Sequence, residues 1–468
     1  MVFASLIFLC LFLPLNILLY YSYNNATYRN YVLILFSLFF YAWGEPIWVL
    51  LLIFSALVDY LNALFIEHYR GTKYAKWGVV SSLIVNLGVL ISFKYSGFLY
   101  ENLNYYLGLS LTVPKIALPI GISFYTFQTI SYTIDVYRGE VKAQTSFPKF
   151  LMFVSLYHQL VAGPIVRYVH IMNDIEQRKE KLEEIFWGLH RFLIGLFKKV
   201  AIANVAAVWV AQYLDGNFSE LSVAEAWFGI LMFSIQIYFD FSGYSDMAIG
   251  LGKMFGFHYL ENFNYPYISR SATEFWRRWH ISLGTFFRDY VYIPLGGNKQ
   301  YPYRNLLIVW ALTGLWHGAS WNFIFWGIYF GVLILIEKLF LMAWLQKLPR
   351  FFEHFYLLFV VVIGWALFYF TDSSRLFSFL DILFLQTNQP FWNYQLGLLL
   401  KENLFWLLGT FVLCMPIYRT LHYRYMSQLE KNKPWLFGAA MLFQFILLFI
   451  CITLLVGKTY NPFIYYRF

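Results

Sequence analysis

One repeated pattern leaves few folds open to this chain: apolar runs of bilayer length recur from end to end, at about residues 2–23, 30–43, 46–66, 77–93, 116–134, 186–213, 223–250, 305–316, 321–345, 355–371, 402–418 and 435–457. In hydrocarbon every backbone N–H and C=O must be satisfied inside the protein, which a helix does within one segment. Only 13% of the residues are charged and 60% are hydrophobic, whereas a soluble domain carries about 25% charge. The pattern therefore predicts an all-α, polytopic helical membrane protein. Some runs are too short or too closely joined to be full spans, so about 11–12 transmembrane helices are expected. The first run, Met1 to Tyr23, is read as an uncleaved span, because a secretory signal needs a positive start and the first Lys or Arg is Arg29.

Orientation follows from the basic residues. Alternate loops hold Arg29, then Arg70, Lys73 and Lys76, then segments 138–185 and 251–304, then Lys347 and Arg350, then Arg419, Arg424, Lys431 and Lys433. The opposite loops hold only Lys94, Lys115, Arg375, Lys401, Lys458 and Arg467. This places the basic side in the cytoplasm and both termini outside. The formal net charge of +9 then reads as topology plus contact with anionic membrane lipids, and no nucleic acid is expected as a partner. Cys10, Cys414 and Cys451 lie in apolar runs without paired or metal-ligand spacing, which argues against disulfides and structural zinc.

Two connections on the basic side are themselves apolar. Phe147 to Pro164 contains His158, Gln159 and Gly163-Pro164 and is expected to be a re-entrant or interfacial helix. In 265–304, Trp276, Trp279, Phe286, Phe287, Tyr290 and Tyr292 alternate with charge, as in helices lying in the headgroup plane. Together they predict a funnel on the cytoplasmic face.

Chemistry concentrates between Tyr265 and Asn322, where Arg270, Glu274, Arg277, Arg278, His280, Arg288, Asp289, Lys299, Arg304 and His317 stand among apolar segments. Ionisable groups are costly there unless they have a function. His317 lies at the end of the run Leu306–Leu315, within Trp316-His317-Gly318. An imidazole so placed is either a general base or nucleophile, or a packing residue satisfied by neighbouring helices. Gly314, Gly318 and Ala319 beside it permit a narrow passage or a close helix approach. Arg277 and Arg278 are either forked donors to phosphate or anchors at the lipid surface. Asp240 and Asp246, within IYFDFSGYSDMAIG, are either a buried structural pairing or a support to the site. No glycine-rich nucleotide loop, GxSxG elbow or HExxH is present. A reaction would use a lone membrane histidine and an activated substrate from outside the fold, with no metal, since no second ligand stands at a useful spacing from His317.

Five ordered motifs, LPIGISFYTFQTISYTIDVYRG (118–139), LVAGPIVR (160–167), YFDFSGYSDMAIGLGKMFGF (238–257), ENFNYPYISRSATEFWRRWHISLGTFFRDYVYIPLGGN (261–298) and GLWHGASWNFIFWG (314–327), closely resemble the membrane-bound O-acyltransferases. Among these they are most similar to the bacterial branch that acetylates extracytoplasmic polysaccharides such as alginate. The resemblance runs to about residue 370. It implies one membrane domain over 1–468, with its motif-bearing core at about 116–345 and a less informative end at 375–468. It also implies a central tunnel in the bacterial cytoplasmic (inner) membrane. Acetyl-CoA would be the donor substrate, with no permanently bound cofactor. His317 matches the family's essential histidine and His280 its second signature position. Arg277, Arg278, Arg270 and Lys299 would hold the CoA phosphates, with Trp316, Asp240, Asp246 and Glu274 in support. The implied partners are a separate extracytoplasmic SGNH-type protein and a surface polysaccharide. Peptidoglycan, another cell-wall polymer or a teichoic-acid alanylation route are alternatives in the same class. A transporter or flippase is the alternative outside it, distinguished by leaving the thioester intact.

Overall fold

The computed structural model describes all residues except 115, 161–162, 422–424, 426–433, 458–462 and 465–468. Lys115, Arg424, Lys431, Lys433, Lys458 and Arg467, used above for orientation, lie outside the described residues, as do Val161 and Ala162 of LVAGPIVR. Among the described residues every regular element is helical, as expected of an all-α polytopic chain.

Six helical stretches are long and apolar enough to cross a membrane: Trp48–His68, Ala75–Leu107, Leu182–Asp215, Trp321–Leu345, Arg350–Tyr369 and Trp435–Leu455. Tyr394–Glu402 and Leu404–Leu413, bent by 67°, make a seventh if counted as one span. These outer faces are apolar; Phe405 is 88% and Phe449 73% exposed, which suits lipid and not water. The other apolar runs take different forms. Phe8–Ser22 is a shorter apolar helix, and Val223–Met254 interrupts its apolar sequence with Glu225, Asp240, Asp246 and Lys253.

Contacts divide the chain into two compact units, one of Met1–Phe192, Tyr244–Glu261 and Gly457–Phe468, the other of Leu193–Gly243 and Asn262–Val456. The division falls within the continuous helices Leu182–Phe197 and Val223–Met254, so no linker marks it in the sequence.

In the first unit the helix Ile122–Arg138 is buried along most of its length and packs on Trp48–His68 and Ala75–Leu90. Its polar residues make this possible. Thr129 donates to Asn86 and Thr133 pairs with Ser82, while Ser82 and Asn86 both donate to the fully buried Asp59. Buried polar groups satisfied in this way tie helices together where apolar contact alone gives little preference over lipid. Phe147–Ser155 and Tyr157–Leu160 are nine and four residues long, too short to cross about 30 Å of hydrocarbon, and Phe150 through Leu160 are buried in protein.

The second unit is built around the helices Pro302–His317 and Trp321–Ile336, joined by three residues. They meet at Gly314 and Gly327: a Cβ on Gly314 would strike the Phe323 carbonyl oxygen, and one on Gly327 the Trp310 carbonyl oxygen. Only glycine allows backbones this close. The segment 265–304 contributes Ala272–Arg278, Ile281–Phe287 and the π-helical turn Arg288–Tyr292. It is amphipathic as expected, with Arg277 and Arg288 exposed. Its apolar side docks on protein: Trp279, Phe286 and Phe287 are buried, and the Trp276 ring lies 5.0, 5.3 and 4.9 Å from Trp310, Trp326 and Phe330.

Candidate active site

His280 is placed by a short helix whose start is tied down at several points. Ser271 caps Ala272–Arg278 by accepting from the Glu274 N–H (3.0 Å), and Glu274 accepts from the Arg270 N–H (2.9 Å), the reciprocal arrangement of a capping box. Glu337, 1% exposed on the facing span, accepts from the N–H groups of Ala272 (2.6 Å) and Thr273 (2.9 Å), from the Thr273 hydroxyl (2.6 Å) and from Tyr356 (3.1 Å). Each hydrogen bond to such a carboxylate contributes about 1.5–3 kcal/mol. At its far end the chain reverses through His280, at φ 46° in the left-handed region. That conformation is uncommon outside glycine and persists where the surroundings enforce it. Here Asn262 enforces it, accepting through its backbone oxygen from the Ile281 N–H (3.0 Å) and through its side-chain oxygen from Ser282 and His280.

His317 ends the helix Pro302–His317, ahead of extended Gly318. Its ring stands edge-on to Trp326 (5.0 Å, 85°) and Phe368 (5.2 Å, 84°) and is 4% exposed. The Trp316 ring lies 4.9 Å from His317 and 5.7 Å from His280. Both histidines line one cavity of about 230 Å³, together with Trp276, Trp279, Trp310, Thr313 and the exposed Gly284 and Arg288. Burial pushes the His280 imidazole well below its usual pKa, so that ring is neutral at pH 7.

The structure thus brings His280, Trp316 and His317 together. The four basic residues expected to hold phosphate do not line this cavity; the cation in its lining is Arg288, which also pairs with Asp289 at 2.7 Å. Arg277 is exposed, Arg278 bonds Glu274 (2.8 Å), Arg270 lies 3.8 Å from Glu353, and Lys299 is exposed in the following loop. Glu274 serves the helix cap. Asp240 pairs with Lys199 at 2.6 Å, while Asp246, in the other unit, pairs with Arg191 at 2.6 Å. Among the described residues, no group of three or more His, Cys, Asp or Glu is arranged to hold a metal ion.

The Asp240 pair is buried on both sides, which makes its energetics testable. Lys199→Met alone is expected to cost about 3–5 kcal/mol by stripping a buried carboxylate of its cation. The double variant Lys199→Met/Asp240→Leu is expected to recover most of that loss, measured by thermal unfolding in detergent. A double variant as unstable as the single one would refute the pairing as the source of the effect.

The model of the membrane-bound O-acyltransferase family, MBOAT, matches residues 2–380. The chain belongs to that family. All the cavity residues of this O-acyltransferase fall inside the matched region. Among its relatives, the protein named "Probable alginate O-acetylase AlgI" of Azotobacter vinelandii is 43% identical over 379 residues, covering 79% of this chain and 75% of the relative. The protein of the same name in Pseudomonas aeruginosa is 40% identical over 447 residues, 93% and 84% of the two chains. The "Peptidoglycan O-acetyltransferase" of Helicobacter pylori is 36% identical over 372 residues, 72% and 70%. As a membrane-bound O-acyltransferase the protein is a multi-pass enzyme, and Asn262, Arg288 and Glu337 join the residues around its cavity that sequence reasoning did not single out. Glu337 carried a signal, a carboxylate inside the apolar run 321–345. Asn262 carried none, since neutral polar residues are common between helices.

Proposed function

We propose that this enzyme moves an acetyl group from cytoplasmic acetyl-CoA across the bacterial cytoplasmic (inner) membrane, for O-acetylation of an alginate-like extracytoplasmic polysaccharide through a separate SGNH-type partner. The observation that carries the reading is the single cavity lined by two buried histidines and by an exposed arginine, in a chain 40% identical across 93% of its length to a protein named as an alginate O-acetylase. His317 acts as general base: it takes the proton of the acceptor hydroxyl as that oxygen attacks the thioester carbonyl. The C–O bond forms, the C–S bond breaks, and the proton passes to the departing CoA thiolate. Arg288, with the exposed Arg277 and Lys299, offers cations to the CoA phosphates. Arg270 and Arg278 are already engaged by Glu353 and Glu274. The alginate-type acceptor is preferred to peptidoglycan because the match to the alginate relatives is both longer and closer.

The test is thioester turnover by the purified protein in nanodiscs, with acetyl-labelled acetyl-CoA, with and without a candidate SGNH partner, and with polymannuronate or peptidoglycan fragments as acceptors. The expected result is free CoA released in step with label on polymannuronate, dependent on the partner. Label on peptidoglycan instead would reassign the acceptor. Acetyl-CoA left intact under every condition would overturn the enzymatic reading in favour of transport.

A further inference from the structure

His280 has two ring nitrogens, and its surroundings decide which one carries the proton. The Ser282 backbone N–H, which can only donate, points at the Asn262 side-chain oxygen at 3.1 Å, and the Ser282 hydroxyl donates to the same atom at 2.9 Å. A flipped amide would set its NH2 group against that N–H, so the oxygen assignment is fixed by the hydrogen-bond network. His280 Nδ1 lies 3.2 Å from this oxygen. An oxygen accepting there requires the proton on Nδ1, and a neutral ring then leaves a lone pair on Nε2. Asn262 is fully buried and His280 is 2% exposed. His280 Nε2 has no hydrogen-bond partner among the described residues, although the residue lines the cavity. The ring's other neighbours are apolar faces, Phe241 at 4.7 Å and Trp316 at 5.7 Å. The titratable groups sharing the cavity lining are His317, Arg288 and Tyr292.

A lone pair accepts a hydrogen bond and cannot give one. It can hold an O–H group, and it has nothing to offer a thioester carbonyl. We propose that Asn262 is a positioning residue that fixes His280 in its Nδ1–H form, so that Nε2 holds the hydroxyl-bearing acceptor and not the thioester donor. This rests on the assignment of the cavity to acyl transfer made above. It divides the two histidines by substrate: His317 activates the hydroxyl that His280 orients.

The test combines spectroscopy with kinetics. Full-length protein labelled with 15N-histidine is reconstituted in lipid vesicles, and His280 is identified among the nine histidines as the signal lost in His280→Gln. The expected wild-type signature is a neutral ring protonated on Nδ1; Asn262→Asp should shift it to a ring protonated on both nitrogens at pH 7, because a carboxylate stabilises the imidazolium. With acetyl-CoA as donor and a mannuronate oligosaccharide as the hydroxyl probe, Asn262→Asp should raise the KM of the probe about tenfold, the loss of one hydrogen bond. The KM for acetyl-CoA should stay unchanged, which a merely structural defect would not arrange. A wild-type proton on Nε2, or a rise confined to the acetyl-CoA KM, would overturn the proposal. Unchanged transfer in His280→Gln would instead overturn the reading of the cavity and the acceptor role with it, whatever the tautomer.

Discussion

His317→Ala is expected to lower acetyl transfer by about 100- to 10,000-fold, the usual contribution of a positioned general base. Its ring is held between Trp326 and Phe368 and next to Trp316, so truncation leaves a gap in an aromatic wall and costs some stability as well. Turnover is therefore compared per folded molecule, after size-exclusion chromatography, with His317→Gln as a second variant that fills more of the gap without offering a base. Both should be inactive while eluting like the wild type. Wild-type turnover in either folded variant would remove His317 from the chemistry and leave His280 as the candidate base.

Gly327→Ala is expected to act on the fold more severely than a substitution of one methyl group normally does. Overpacking typically costs about 1–3 kcal/mol because side chains can shift. At Gly327 the added carbon meets the Trp310 carbonyl oxygen, a backbone atom of a helix that cannot move aside. Gly314→Ala meets the Phe323 carbonyl oxygen in the same way. Either variant should separate the two helices that carry Trp310 and His317, leaving little monodisperse protein in the membrane fraction. Gly409→Ala, where an added Cβ meets nothing within 4 Å, should accumulate normally. Equal yields of all three would refute the close crossing.

The helical membrane fold was legible because hydropathy is additive along the chain, and a long apolar run needs no partner to be recognised. The two histidines were legible for a related reason: an ionisable group beside a span stands out wherever it occurs. The same argument that drew attention to Asp240 and Asp246 applied to Glu337. What the sequence could not show is that its partners are the N–H groups of Ala272 and Thr273, more than sixty positions away. The arginines illustrate a different limit. Arg277 and Arg278 adjoin His280 in the sequence, yet the short helix turns one outward and spends the other on Glu274. Arg288 reaches the cavity because the next helix returns along it. The division into two units was illegible because it falls within continuous helices.

The pair Pro302–His317 and Trp321–Ile336 also bears on the order in which the protein assembles. Its tightest interface joins neighbours separated by Gly318, Ala319 and Ser320, so closing it costs little chain entropy and waits for no distant segment. The hairpin can form while the ribosome is still making the span Arg350–Tyr369, and Trp365 and Phe368 then pack onto a partner already in place. The turn that carries His317 is set early in synthesis, and the wall behind its ring is the last part of its surroundings to arrive.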